Sequence, residues 1–328
     1  MIITFPSIIK RYSLYLLPIA LIFSCNDIDH FDPFPAIIKN YGEQSKSILK
    51  ELNTESLEFN IDASTGGKCN FKDNVQVIFK PNSFHYNGNP VGSKIIKIVI
   101  KKILSKSEMA ANGIQTISGQ HIISSLGMLH IQAFYGEKEL QLASGVIYEI
   151  RIPTNINTLP PNVELFYGET REKFNWVEAD NGDPTASPNV FKGEWKSEFN
   201  GEIINGIKCY PERLNWINCD YFTKYENLNK ISPCITPIID PNNDIVEIIG
   251  MCVLKNQNSI LDIPFNGLNS LCLKNIPMGT EVSFILIGKG KKDYYFGEST
   301  QIIKSDESIN ILCKIQSLEE IRKSIEKL

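Results

Sequence analysis

The chain has 328 residues, 42% of them hydrophobic and 21% charged, with a formal net charge of −4. That balance supports a buried core and excludes a disordered polymer. A mildly acidic chain with no basic tract gains little from counterion release on phosphates, so nucleic acid is not an expected partner.

Residues 1–24 contain no Asp or Glu; Lys10 and Arg11 precede the apolar run Leu14–Phe23, which leads to Ser24-Cys25. A charged start, an apolar stretch too short to span a bilayer and a small residue before the cut describe a signal peptide. Ile22-Phe23-Ser24-Cys25 resembles a bacterial lipobox, with Phe23 in place of a smaller residue. The resemblance implies cleavage before Cys25 and a covalent lipid on that cysteine, anchoring the mature chain to a membrane rather than threading it through. Removing Lys10 and Arg11 with the leader takes the net charge from −4 to about −6. Residues 25–34, with Asp27, Asp29 and Asp32, read as a solvated acidic tether. Acidic residues just after the cysteine also resemble the signal that sends some Bacteroidetes lipoproteins to the outer face of the outer membrane, so the cell surface is favoured over the periplasmic face.

Residues 35–56 form a partly helical lead-in, with Ile37, Ile38, Tyr41, Ile48 and Leu52 at loosely helical spacing. From Leu57 the period changes. Strands are expected at Glu58–Asp62, Val75–Phe79, Ile95–Ile103, Gln120–Ser124, Met128–Tyr135, Leu140–Leu142 and Val146–Ile152. Short strands broken by turns describe an antiparallel sandwich over 57–153 rather than a parallel sheet. Residues 154–200 read as a linker and hairpin region, with Val163–Tyr167 facing Asn175–Glu178 and a loop over Asp180–Asn189. A second β domain is expected over 201–316, with strands at Gly201–Tyr210, Leu214–Ile217, Ile245–Leu254, Leu271–Leu273, Glu281–Gly288, Tyr294–Phe296 and Ile309–Ile315. Ser317 and Glu320 carry capping-box spacing and open a C-terminal helix over 317–328. The expected class is therefore mainly β: two antiparallel sandwich-like domains, a short N-terminal helix and a C-terminal helix.

Across 57–153 the order of features is more specific. Thr65-Gly66-Gly67 is followed by Phe79-Lys80-Pro81-Asn82-Ser83-Phe84 and Asn87-Gly88-Asn89-Pro90-Val91. Lys106-Ser107-Glu108-Met109, Ile117-Ser118-Gly119, Ser124-Ser125-Leu126-Gly127-Met128-Leu129 and Leu140-Gln141-Leu142 come later. This series resembles the bacterial version, found in Bacteroidetes lipoproteins, of the β-sandwich domain shared by zonula-occludens proteins, netrin receptors and ankyrins. Leu214-Asn215-Trp216-Ile217-Asn218-Cys219-Asp220-Tyr221-Phe222 resembles the Gly-Trp-Ile-Asn-Cys-Asp-x-Phe segment downstream of it, with Asn215 where glycine is usual. The resemblance implies a β-sandwich and supplies no shared catalytic residues. Some relatives cut themselves at His-Phe-Ser; that step occurs nowhere here, so self-cleavage is not expected.

Catalytic and metal motifs are scarce. Of four histidines (His30, His85, His121 and His130), His121 and His130 fall on successive expected strands, where they would meet across a ladder. Two imidazoles without a third ligand make a poor metal site. There is no zincin motif, nucleophile elbow or phosphate loop. Asp240, Asn242 and Asp244 are candidate calcium ligands, but they lack EF-hand spacing, and an Asx-rich turn also accounts for them. No cofactor is expected beyond the lipid on Cys25.

Trp216, Asn218, Cys219, Asp220 and Phe222 read as a structural anchor: a buried aromatic with polar neighbours tying a corner. On that reading Trp216→Ala costs about 3–5 kcal/mol. Cys209 with Cys219, or Cys219 with Cys234, are the candidate disulfides, whereas Cys252, Cys272 and Cys313 sit in apolar runs as buried thiols. Aromatic residues at Tyr294–Phe296 and at Tyr221, Phe222 and Tyr225 are candidates for a binding row. The expected function is non-catalytic: a membrane-tethered adaptor of the cell envelope whose partner is a protein or glycan. The alternatives are a glycan-binding accessory of a nutrient-uptake system and an envelope hydrolase.

Overall fold

The computed structural model describes residues 47–170, 174–179, 189–223, 225, 228–240, 245–265 and 270–328. Cys25, the acidic tether, most of the lead-in and the calcium candidates Asn242 and Asp244 lie outside them. The described residues are mainly β, with three short helices: α1 (Ser47–Leu52), α2 (Lys106–Asn112) and α3 (Leu318–Ile325).

Two antiparallel sheets form the first sandwich. The outer one runs Val190–Lys196, Ile203–Cys209, Glu149–Pro153, Gln76–Phe79, Gly67–Asn70. The inner one runs Leu57–Asp62, Ile95–Ile103, His121–Tyr135, Asn215–Phe222, Glu164–Thr170, Phe174–Glu178. Between them lies a core that includes Val77, Phe79, Ile98, Ile131, Ile150, Leu165 and Ile217. The stretch from Glu164 to Phe222 therefore completes both sheets of the first sandwich, rather than serving as a linker and the opening of a second domain. Its strands supply the neighbours that His121–Tyr135 and Glu149–Pro153 need to satisfy their second edges.

The second sandwich packs a five-stranded antiparallel sheet (Ser259–Asp262, Ile245–Leu254, Glu281–Gly290, Tyr294–Ile302, Lys314–Gln316) against a three-stranded mixed sheet, in which Cys234–Ile238 pairs antiparallel with Leu271–Cys272 and parallel with Ile309–Leu312. Leu261, Leu271, Phe284, Leu286 and Tyr295 fill the space between.

A third core joins the two. Ile123, Met128, Phe166 and Trp176 from the outward face of the first inner sheet meet Ile249, Met251, Val253, Ile285 and Ile287 of the five-stranded sheet. Helices α1, α2 and α3 close the same core with Ile48, Met109, Ile321 and Ile325. Both inner sheets are therefore covered on both faces, which explains the near-continuous apolar runs of their central strands. Along Glu281–Gly290 the alternation is strict: Phe284 and Leu286 face the second sandwich, Ile285 and Ile287 the shared core.

The seam is also hydrogen-bonded. The Ser125 N–H donates to Asn258 O at 3.0 Å, and Asn258 Nδ2 donates to Ser125 O at 2.8 Å. The Thr116 N–H donates to Ile260 O at 2.8 Å, and the Ile260 N–H donates back to Thr116 Oγ1 at 3.0 Å. Lys106 Nζ reaches Leu254 O at 2.8 Å. Helix α1 is tied in by Glu247, which accepts from the Ser47 hydroxyl and, at 3.3 Å, from the Ile48 N–H. Glu51 accepts from Lys289 and Tyr294.

Three local expectations change. Gln120–Ser124 and Met128–Tyr135 are one 15-residue strand, His121–Tyr135, carrying a bulge opposite Cys219/Asp220. His121 and His130 thus share a strand and do not meet across a ladder. Helix α2 and strand Val190–Lys196 were not expected; α2 is closed by a capping box of Ser105 and Glu108 and by Gly113 at φ +62°. The third change concerns the disulfides. Cys234 bonds Cys272 rather than Cys219, because antiparallel pairing of Cys234–Ile238 with Leu271–Cys272 sets the two residues directly opposite, and Cys209 and Cys219, the other expected pair, are both buried free thiols. Cys272 is therefore not a free thiol; Cys252 and Cys313 are, and both are buried.

Candidate functional site

The strand Asn215–Phe222 links two concavities. Its first end, Asn215-Trp216, lines a cleft of about 620 Å³, and Phe222, at its last residue, lines a smaller one of about 340 Å³. Between them Asn218, Cys219 and Asp220 are fully buried.

The larger cleft is built from three segments: the turn Glu139–Leu142, the strand stretch Tyr167–Glu169 and the connection Glu212–Trp216. Asn215 begins its strand at φ +69°, a left-handed conformation that glycine and asparagine adopt with least strain. Gly168 lies under Trp216, where an added Cβ would stand 2.6 Å from the Trp216 Cβ; the missing side chain lets the indole settle onto the neighbouring strand. His130 packs against the indole with ring centroids 4.7 Å apart. Burial, aided by the positive charge of Lys101, holds the His130 pKa below its ordinary value and favours a neutral imidazole.

The rim is polar. The Arg213 guanidinium sits 4.8 Å over the Tyr167 ring and meets Glu169 at 3.3 Å. The Tyr167 hydroxyl accepts from the Glu212 N–H at 2.8 Å, and the Tyr148 hydroxyl donates to Arg213 O at 2.8 Å. Burial raises both phenol pKa values, so these hydroxyls hold the connection in place as neutral groups. Planar polar side chains on the rim (Glu139, Gln141, Glu169, Asn215) surround an aromatic and aliphatic floor. This chemistry suits reversible binding of a ligand carrying both hydroxyl or amide groups and an apolar face.

Trp216 packs as an anchor would, but at the edge of the core. It is half-buried, whereas Trp176 is fully buried and its indole N–H donates to Gln115 O at 2.8 Å. Trp176 lies inside the shared core, while Trp216 packs against the edge of that core, 6.1 Å from the Phe174 ring and 6.3 Å from the Trp176 ring, and also lines the cleft. Asn218 and Asp220 do tie a buried corner. Ser125 Oγ donates to Asn218 Oδ1 at 2.8 Å, and Asn218 Nδ2 donates to Asp220 Oδ2 at 2.5 Å. Asp220 Oδ1 has no hydrogen-bond partner, and burial pushes the carboxyl pKa well above the usual range. Phe222 packs edge-on against His121 and Phe166.

The smaller cleft gathers His121, Glu178, Phe222, Tyr225 and Lys230. No continuous aromatic row lies at 294–296, because Tyr295 and Phe296 are buried and only Tyr294 is partly exposed. Asp240 is described without its two companion candidates, and among the described residues no three His, Cys, Asp or Glu side chains gather as metal ligands. Among the described residues no helix is long and apolar enough to cross a membrane.

Sequence reasoning missed Tyr167, Glu169 and Arg213. Their convergence depends on the pairing of Glu164–Thr170 with Asn215–Phe222, and no local motif marks it. No protein-family model matches this chain, and no curated protein sequence does.

Proposed function

We propose that this chain is an exported lipoprotein, held at the outer membrane by a lipid on Cys25. Its fused sandwiches then act as a non-catalytic binding module of the cell envelope. The observation that carries the binding role is the cleft at Trp216: open, polar-rimmed and aromatic-floored, on a rigid pair of sheets. Leader, lipobox-like tetrad and acidic tether support the export reading. The left-handed Asn215, at the position where the Bacteroidetes segment carries glycine, supports the family resemblance. Tethering concentrates the module at one surface, so even a shallow site gains effective molarity for a partner sharing that surface.

A photo-reactive residue in place of Gln141 tests the role in intact cells. Crosslinking of an envelope component there, with none from a photo-reactive residue in place of Lys291, is the expected result. Equal labelling from both positions contradicts a binding role for the cleft. The cleft also favours a second reading, a glycan-binding accessory of a nutrient-uptake system, since the planar polar side chains of Glu139, Gln141 and Glu169 beside the partly exposed Trp216 suit sugar hydroxyls and a ring face. Binding of neutral oligosaccharides on a glycan array, lost in Gln141→Ala, distinguishes this reading from a protein partner.

A further inference from the structure

The smaller cleft, of about 340 Å³, lies where the two sandwiches meet, and each contributes a wall. From the first come His121, which opens the long strand, Glu178, which closes the edge strand Phe174–Glu178, and Phe222. From the second comes a short ladder in which Lys230 and Ile231 pair with Pro277 and Ile276. Both walls are fixed. The Thr223 N–H and hydroxyl donate to Ile122 O at 3.1 and 2.9 Å, and the Tyr225 hydroxyl donates to Gln257 Oε1 at 2.9 Å. On the other side the Met278 N–H donates to Asn229 O at 2.7 Å and the Leu273 N–H to Pro233 O at 3.0 Å. The Cys234–Cys272 disulfide ties the same two segments together.

The side chains that this frame presents have a definite chemistry. His121 stands edge-on to the half-buried Phe222 with ring centroids 5.8 Å apart, so packing rather than a hydrogen bond holds the imidazole at the cleft. The side chains of Gln120, His121, Lys230 and Asn275 are exposed and make no hydrogen bond or ion pair among the described residues. An ammonium and an imidazole beside an aromatic ring suit a carboxylate carried on a ring with an apolar face. The two side-chain amides add donors and acceptors for hydroxyls. Glu178 has a partner of its own, and its negative charge disfavours a second anionic group in the ligand. We infer that this cleft binds a sugar unit bearing a single carboxylate, of the uronic acid class. Lys230 and His121 receive the carboxylate, Phe222 the apolar ring face, and Gln120 and Asn275 the hydroxyls. The volume is at the small end for ligand sites, which fits one such unit. The site shares no lining residue with the Trp216 cleft and does not rest on what that cleft binds.

Isothermal titration calorimetry of the full chain with glucuronate tests the assignment, with glucose as the neutral counterpart. The expected result is saturable binding of glucuronate and none of glucose over the same concentrations. Lys230→Gln keeps most of the stem and removes the charge, and it should weaken glucuronate binding about tenfold or more. His121→Ala should weaken it in the same direction. Gln141→Ala, in the other cleft, should bind glucuronate as the wild type does, which separates failure here from failure of the Trp216 site. The inference is overturned by absence of glucuronate binding, by equal affinity for glucose, or by unchanged affinity in Lys230→Gln. Loss of binding in Gln141→Ala also overturns it, because the ligand would then belong to the other cleft.

Discussion

Two central strands of this molecule face the same physical problem and solve it differently. Ile245–Leu254 and Asn215–Phe222 both run through sheets covered on both faces, and each buries one carboxylate. In the first strand that group is Glu247, matched by the Ser47 hydroxyl and the Ile48 N–H at the start of α1. Its charge sits where the helix offers donors, so it fastens α1 to the shared core. The rest of the strand is apolar and purely structural. In the second strand the group is Asp220, which accepts from Asn218 and has Ser125 and the Leu126 backbone beside it. Complete burial outweighs those hydrogen bonds and favours the protonated carboxyl. The comparison separates a strand built for packing from one that carries a polar corner between two concavities.

Truncating the packing strand should have the largest effect. Met251→Ala opens a cavity in the shared core, and a loss of about 2–5 kcal/mol is expected in urea unfolding. A loss below about 1 kcal/mol would show that the two sandwiches are not fused through this core. Glu247→Ala leaves donors of α1 unpaired and should cost about 1–3 kcal/mol. Hydrogen exchange should rise in Ser47–Leu52 before it rises elsewhere.

Trp216→Ala should cost less than its size suggests, about 1–2 kcal/mol, because the indole is half-buried at the cleft. Trp176→Ala provides the contrasting full loss. Equal destabilisation by the two would erase the distinction between cleft and core.

Asp220→Asn runs opposite in sign. The folded carboxyl pKa lies above its unfolded value of about 3.9, so the folded state binds the proton more tightly. That contribution is complete below the unfolded pKa and is lost progressively as pH rises towards the folded pKa. Asparagine keeps an acceptor for Asn218 and has no proton to lose. The variant should therefore melt higher than wild type at neutral pH, with the gain shrinking towards pH 4. A variant that melts lower at pH 7 and equals wild type at pH 4 would mean that Asp220 is ionised in the folded state.

Much of this architecture was legible in the sequence. Apolar, β-branched runs marked out Ile95–Ile103 and Ile245–Leu254, and Ser317 with Glu320 announced α3, whose capping box forms in both directions. What escaped depended on partners distant in the chain. Ser124-Ser125-Leu126-Gly127 looked like a strand start, because a bulge inside a strand carries the same residues as a turn before one. The membership of Glu164–Phe222 in the first sandwich follows from edge pairing, which alternation does not report. Cys234 and Cys272 are adjacent only through cross-strand register. Ser105 and Glu108 did carry the signal for α2, but seven residues between two strands gave it little apolar periodicity. The candidate site was half legible: the segment from Trp216 to Phe222 stood out, while the cleft residues Tyr167, Glu169 and Arg213 did not.

The most direct test of the central proposal, a tethered envelope module, is mass spectrometry of the mature N-terminus from membranes, comparing wild type with Cys25→Ala. The wild type should yield a chain beginning at an acylated Cys25, and the variant an unacylated precursor lost from the membrane fraction. A wild-type chain cleaved elsewhere, or starting at an unmodified Cys25 outside the membrane fraction, would contradict it.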